Sequence, residues 1–368
     1  MPGSLDARQR SLGIDVAKGI AIIAIVIGHV LRGLTAAGVL TSADIGRTDR
    51  LLYLVHLSVF ALLAGIFVQP SATARGHRRY LIDRLSTFAW LYLLWSALQV
   101  VVKLLLAGRV NSAADPISWL WMPESQMWFL PCLAIGTLCA VGLSAWRPGR
   151  GWRLVALCLV VASSLALWGI ESEYVVANGW SLLAPFLVGA WLGRARLVAW
   201  ADTAVGRAAG VLGLAGWLWL GLQTSATPPT FSPEPRSLAS VALGVLACVA
   251  GTWGVVACSL WAGQPRSAGQ SRLTGQPRLA RLLAPLAAIG RASLAIFLAH
   301  ILAAAGVRMV LLESGVTSAP LIAVVAVVAG VGGGLVVHRL AGVRGFAWLL
   351  TRPGASSPGA SRPGAVSR

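Results

Sequence analysis

Long apolar runs recur along the whole chain, separated by short polar stretches, and few of them carry a polar face at helical or strand period. An apolar run of 18 or so residues can cross the hydrocarbon of a bilayer as a helix. Hydropathy places such spans near 14–34, 51–69, 86–107, 127–146, 154–171, 180–193, 205–223, 237–262, 286–312 and 320–341, with the run at 180–193 the shortest. The expectation is an all-α, polytopic integral membrane protein of about ten transmembrane helices. It divides into a segment 1–13, a membrane domain 14–341 and a tail 342–368. The tail is expected to be largely disordered, because its end, "RPGASSPGASRPGAVSR", is rich in Pro, Gly and Ser. In the last span Gly330 and Gly334 have the small-xxx-small spacing that lets two helices approach closely.

The polar stretches alternate in charge. With the N-terminus inside, the clusters Arg75, Arg78, Arg79 and Arg84, then Arg147, Arg150 and Arg153, then Arg194, Arg196 and Arg207, then Arg266, Arg272, Arg278 and Arg281 all fall on the inner side. Arg8, Arg10, Arg362 and Arg368 join them, whereas the outer segments hold only Arg47, Arg50, Arg109 and Arg236. Acids lean the other way, with Asp44, Asp49, Asp115, Glu124, Glu171, Glu173, Glu234 and Glu313 outside. Lys/Arg asymmetry sets orientation, so both termini are expected in the cytoplasm and the chain in the inner or plasma membrane.

Composition agrees and removes other classes. The chain is 57% hydrophobic and 11% charged, well below the charged share of a soluble domain. Its net charge of +18 would suit nucleic acid, but the arginines sit between spans where topology alone requires them, so no nucleic-acid partner is expected. The 5 cysteines all lie in apolar runs without metal-ligand spacing and read as small packing residues, so no metal is expected. Many of the 16 tryptophans, among them Trp128, fall near span ends, as interfacial anchors do.

Against this background the ionisable groups inside spans stand out, since each is costly there and usually marks a functional path. The stretch 14–30, "IDVAKGIAIIAIVIGHV", carries Asp15, Lys18 and His29. Lys18 and His29 are 11 residues apart, within about 20° of three full turns, so they share a helix face about 16 Å apart along the axis. By the expected topology Lys18 lies near the inner end and His29 in the outer half. His56 in the second span also falls in the outer half, and the ninth carries Arg291, His300 and Arg308 in outward order. Glu124 and Gln126 precede the fourth span at the outer mouth. Three histidines on three helices can therefore share one polar interior.

A cation, ten residues and a histidine in the first helix, here Lys18, "GIAIIAIVIG", His29, resembles the signature of the membrane-bound acyltransferase family 3. The version "IDVAKGIAI…GHV" looks most like the fucose 4-O-acetylase branch. "VHLSVFALLAGIF" is similar to the family's His-x-Pro-x-Phe…Ser-Gly-Phe segment, with Ser58 in place of the proline and Ala64 in place of the serine. "MWFLPCL", with Trp128, resembles the Trp-Phe-Leu segment, and "IGRASLAIFLAH", ending at His300, the Gly-Arg-x-Ser-Leu…His segment. "RRYLIDRL" stands where an arginine-bearing segment is found, without the proline that usually follows.

The resemblance implies transfer of an acyl group, usually acetyl, from cytoplasmic acetyl-CoA or another acyl-CoA to a hydroxyl of an envelope carbohydrate or lipid-linked sugar. Under it, His29 acts as general base on the acceptor hydroxyl, or is itself acylated as a relay. His56 and Glu124 complete the catalytic set by orienting His29 or holding the sugar. Lys18, Arg78, Arg79, Arg84 and Arg291 meet the CoA phosphates, and Trp128 and His300 bind substrate. Imidazole, with an ordinary pKa of about 6.5, suits the base role. The alternative class is a proton-coupled small-molecule transporter or flippase, which would also place His, Lys and Asp in helices, but no internal repeat or paired broken helices are evident.

Overall fold

A computed structural model describes residues 11–106, 117–147, 149–232, 234–263 and 276–354. The expectations for residues 1–10 and 355–368, and for Arg109, Asp115, Arg266 and Arg272, lie outside the described residues, as does the side chain of Arg278.

Among the described residues thirteen α-helices follow one another. They are α1 (Leu12–Ala36), α2 (Ser42–Tyr53), α3 (His56–Gly65), α4 (Val68–Arg75), α5 (His77–Leu105), α6 (Phe129–Gly142), α7 (Trp152–Ala166), α8 (Leu183–Asp202), α9 (Ala204–Gln223), α10 (Leu238–Ala262), α11 (Gln276–Arg291), α12 (Ser293–Glu313) and α13 (Ala319–Leu340). No strand occurs among the described residues. Counting through short breaks, nine stretches among the described residues are long and apolar enough to span a bilayer, and α7 is a shorter apolar helix. The protein is an all-α polytopic membrane protein.

The structure redraws four of the expected spans. The run at 180–193 opens with a 3-10 turn at Trp180–Leu182 and continues as α8 to Asp202, broken only at Gly193, whose φ of 65° and ψ of 165° are not helical. The short crossing is instead α7, of 15 residues. It still carries the chain from one end to the other. Trp146, just before it, packs on His77 at the start of α5, while Trp168, just after it, donates its indole N–H to the Thr227 carbonyl at the opposite end. The second span is broken at Leu54–Val55 and again at Ile66–Phe67, and the ninth at Ala292, where φ of −88° and ψ of 5° leave the helical region.

α1 runs through the centre, packed against α2, α3, α10, α11, α12 and α13. Its buried stripe of Ile22, Ile25, Val26 and Leu34 supplies the middle of the core. Close backbone approach fixes its neighbours. A Cβ on Gly19 would fall 2.2 Å from the Leu286 carbonyl oxygen, and one on Gly290 1.8 Å from that of Asp15, so α1 and α11 cross where neither has a side chain. Gly334 does the same for α13 against Ile296 of α12, and Gly330 packs on Val26 of α1, the close packing their spacing predicts. The first part of the tail is ordered: a 3-10 turn at Ala347–Leu349 docks on α5, where Trp90 and Trp95 donate to the Trp348 and Leu349 carbonyls at 2.9 and 3.0 Å. Apolar side chains and indole donors explain why residues 342–354 hold structure that their distal, Pro- and Ser-rich continuation gave no reason to expect.

Candidate active site

His29 projects from the last third of α1 into the wall of two cavities. One, of about 260 Å³, is lined by His29, His56, Arg32, Tyr53, Gln126, Trp128, Glu171, Asn178 and Thr230, with Phe231 and Phe297. The other, of about 380 Å³, is mainly apolar and lies between α1, α5 and α12; His29, Arg32 and Ser125 line both. His300 faces His29 across the second cavity, ring centroids 5.2 Å apart. The three histidines predicted to share an interior do so, with His29 at the junction.

Hydrogen bonds fix two of the rings. His300 Nδ1 lies 2.9 Å from the carbonyl oxygens of Ile296 and Phe297, which can only accept, so Nδ1 carries a proton and Nε2 presents a lone pair in the neutral ring. That Nε2 is buried without a partner. His56 Nδ1 likewise donates to the Leu52 carbonyl, one turn back, while Tyr53 packs edge-on at 4.6 Å. His29 makes no hydrogen bond among the described residues and is half-buried, so its nitrogens are available to a substrate.

Arg32 is the strongest charge beside the imidazole. It follows His29 by three residues and so lies on the same face of α1. Asp49 of α2 holds Nε and Nη2 in a fork at 2.9–3.1 Å, and the rings of Tyr53 and Phe231 stack on the guanidinium at 3.7 and 4.2 Å. Among the described residues Nη1 makes no hydrogen bond, and Arg32 lines both cavities beside His29. Asp49→Asn should leave this half-buried cation short of a charge-assisted pair worth about 1.5–3 kcal/mol. The expected result is a lower thermal midpoint in detergent; an unchanged midpoint would show that the aromatic sandwich alone holds Arg32.

Two connecting segments complete the chamber. In the connection after α9, Ala226 to Thr230 are buried. The Pro229 carbonyl accepts from Ser181 Oγ at 2.6 Å and from the Gly169 amide at 2.8 Å, which sets Thr230 and Phe231 against the chamber. Segment 167–182 contributes Glu171 and Asn178, and Gly179, with φ of 75°, leaves room for the Trp128 ring. Gln126 donates from Nε2 to the Phe297 carbonyl at 3.2 Å, while its Oε1 and the Thr230 hydroxyl are buried without partners. Next to Gln126, Ser125 takes a φ of 46°, a left-handed backbone rare for serine and of the kind that concentrates at functional sites.

Toward the Lys18 end a cavity of about 210 Å³ is lined by Lys18, Phe67, Tyr80, Arg84, Thr87 and Ser293. It shares Phe129 and Phe297 with the histidine chamber, and those two rings, 5.8 Å apart, partition the two spaces. Lys18, Phe67, Ser293 and Leu294 are shared in turn with a polar cavity of about 290 Å³ that adds Asp15, Arg194 and Arg291. Lys18 also lies over the Phe67 ring at 5.2 Å, and Arg291 pairs with Asp15 at 3.6 Å.

The predicted site residues thus fall into two groups. His29, His56, His300 and Trp128 converge at one end, and Lys18, Arg84 and Arg291 line the connected cavities at the other. Glu124 lines neither histidine cavity: Lys103 of α5 takes up its carboxylate, and the acid in the chamber is Glu171. Arg78 and Arg79, on the first turn of α5, are exposed and line none of these cavities, where Arg194 is present instead. Among the described residues no group of three or more His, Cys, Asp or Glu converges to hold a metal ion.

A histidine chamber that shares two aromatic rings with a cavity leading to a cationic mouth gives this polytopic membrane protein a polar interior. Residues 11–339 match the family model described as the acyltransferase domain of the acyltransferase 3 family, and the chain belongs to that family. It is a multi-pass membrane acyltransferase. No curated protein and no solved structure matches it.

Proposed function

We propose that the chain is an O-acyltransferase that moves an acyl group, acetyl by its likeness to the fucose 4-O-acetylase branch, from cytoplasmic acyl-CoA to a hydroxyl of an envelope carbohydrate or lipid-linked sugar. One observation carries the reading: His29, which makes no hydrogen bond among the described residues, lines a polar chamber whose Phe129 and Phe297 wall is shared with a cavity path that begins among Lys18, Arg194 and Arg291. Basic clusters inside and acids outside put that cationic mouth on the cytoplasmic side.

CoA phosphates suit a mouth of one lysine and two arginines. The pantetheine arm then lies along the cavity past Arg84, and the thioester reaches His29 when the Phe129 and Phe297 rings turn aside. The acceptor sits in the polar chamber, where Glu171, Asn178, Thr230 and the carbonyl of Gln126 offer partners to hydroxyls. His29 takes the proton from one acceptor hydroxyl as its oxygen attacks the thioester carbon. The C–S bond breaks, and the departing thiolate takes that proton from the imidazolium. Arg32 Nη1 is the charged donor nearest in role to an oxyanion contact, held without freedom to reorganise. Acylation of His29 itself, followed by transfer, uses the same geometry.

Membranes bearing the chain, incubated with radiolabelled acetyl-CoA, should move label into carbohydrate or lipid. Absence of chain-dependent label in membranes of the native host would sink the reading and favour transport. Lys18→Ala should raise the apparent donor KM by roughly tenfold, the value of one charge-assisted contact, with a smaller change in acceptor use. An unchanged donor KM would assign Lys18 to helix packing.

A further inference from the structure

The 380 Å³ cavity on the far side of His29 is not used by this mechanism, and its lining is unlike that of the sugar chamber. Val30, Val102, Leu302, Ala304, Ala305 and Met309 make it largely apolar. Three cations border it, two of them neutralised: Arg32 by Asp49 and Lys103 by Glu124. Arg308 of α12 has no hydrogen bond or ion pair among the described residues, yet is only partly exposed. Its guanidinium lies over Gly33, where a Cβ would sit 2.0 Å from Nη1. Gly33 is one turn beyond His29 on α1, about 6 Å along the axis. Deeper in the cavity two buried groups lack partners: the Gln99 amide, a donor, at 2% exposure, and His300 Nε2, an acceptor, at 0%.

We propose that this cleft holds the lipid end of the acceptor, an amphiphile whose phosphate is bound by Arg308 and Gln99 and whose hydrocarbon follows the apolar walls, while its sugar reaches past His29 into the polar chamber. The proposal rests on the acyltransferase reading and names its acceptor class: a lipid phosphate carrying the sugar hydroxyl. Each unpartnered group then has a use. A guanidinium and an amide donor suit phosphate oxygens, and a lone pair on His300 suits a hydroxyl proton. The distance fits as well. A phosphate at the level of Gly33 puts the first sugar attached to it within one turn of His29, between the two imidazoles. An unpaired arginine in an apolar, membrane-embedded cleft otherwise lacks the counter-charge such a position calls for. The polar chamber next to it would take the remaining sugar.

The test uses the full chain purified in detergent and measures retention of decaprenyl phosphate, the matching decaprenol and phosphatidylglycerol by native mass spectrometry. The phosphate should be retained about tenfold better than the alcohol, as one charge-assisted contact provides. Arg308→Gln should erase that preference and Arg308→Lys restore most of it. Ala305→Phe, which fills the cleft without touching charge, should lower retention of phosphate and alcohol alike. Equal retention of phosphate and alcohol by the wild type would overturn the proposal. So would displacement by phosphatidylglycerol at equal concentration, which would make the cleft a site for a structural lipid. His29→Ala should retain the lipid phosphate undiminished, so loss of transfer there speaks to the chemistry and not to the cleft. Label passing to a water-soluble sugar without lipid retention would overturn the cleft proposal and leave the transferase reading standing.

Discussion

His29→Ala is expected to cut acyl transfer by about 10²–10⁴-fold, the usual contribution of a positioned general base. The protein itself should persist at wild-type levels. The imidazole makes no hydrogen bond among the described residues and is half-buried at a cavity wall, so its removal enlarges a space already present and strands no buried partner. Helix packing on α1 rests on Ile22, Ile25, Val26 and the glycine crossings, none of which the substitution touches. His300→Ala should cost less, because that ring is 5.2 Å from His29 and meets the reaction only through it or the acceptor. Transfer measured against folded protein separates these outcomes. His29→Ala within a few-fold of wild type would remove His29 as base and as acyl carrier together.

The features legible in the sequence were those with a period or a charge asymmetry behind them. Lys18 and His29 share a face because 11 residues nearly complete three turns, and the structure puts them in neighbouring cavities that share the Phe129 and Phe297 wall. Arg32 carried the same kind of signal, three residues past His29, but its Asp49 and Phe231 partners come from segments whose approach no local pattern specifies. Glu171, Asn178 and Thr230 had no periodic signal at all. They lie in connections between spans, and they reach the chamber because the Pro229 and Thr227 carbonyls are pinned by Ser181, Gly169 and Trp168. Glu124 was the natural acid to choose from its place beside the Trp-Phe-Leu segment. Lys103 pairs with it from another helix, 21 residues back. Arg194 reaches the cationic mouth beyond the break at Gly193, in a run where hydropathy alone suggested the span had already ended.

The other large effect is expected at Gly290, the glycine of the Gly-Arg-x-Ser-Leu segment, whose close backbone approach to α1 has no signal in the sequence. Its ideal Cβ would lie 1.8 Å from the Asp15 carbonyl oxygen, a backbone atom that cannot turn aside. Gly290→Val must therefore push α11 off α1, and with it the Gly19 contact to Leu286 on the same crossing. Overpacking of this kind costs about 1–3 kcal/mol where side chains can adjust, and more when a helix must move as a body. The variant should give little monodisperse protein in detergent and a clearly lowered thermal midpoint. Gly332→Val on α13 is the control, since nothing lies within 4 Å of its Cβ and it should behave as wild type. The milder Gly290→Ala tests what the crossing does for function. Arg291 follows directly, pairs with Asp15 and lines the cationic mouth, while Ser293 borders both the 210 and the 290 Å³ cavities. A shift of α11 that the fold survives should then appear as a raised donor KM before any loss of kcat. Wild-type stability and donor KM in Gly290→Ala would mean that α1 and α11 can part by the width of a methyl group without disturbing the cationic mouth.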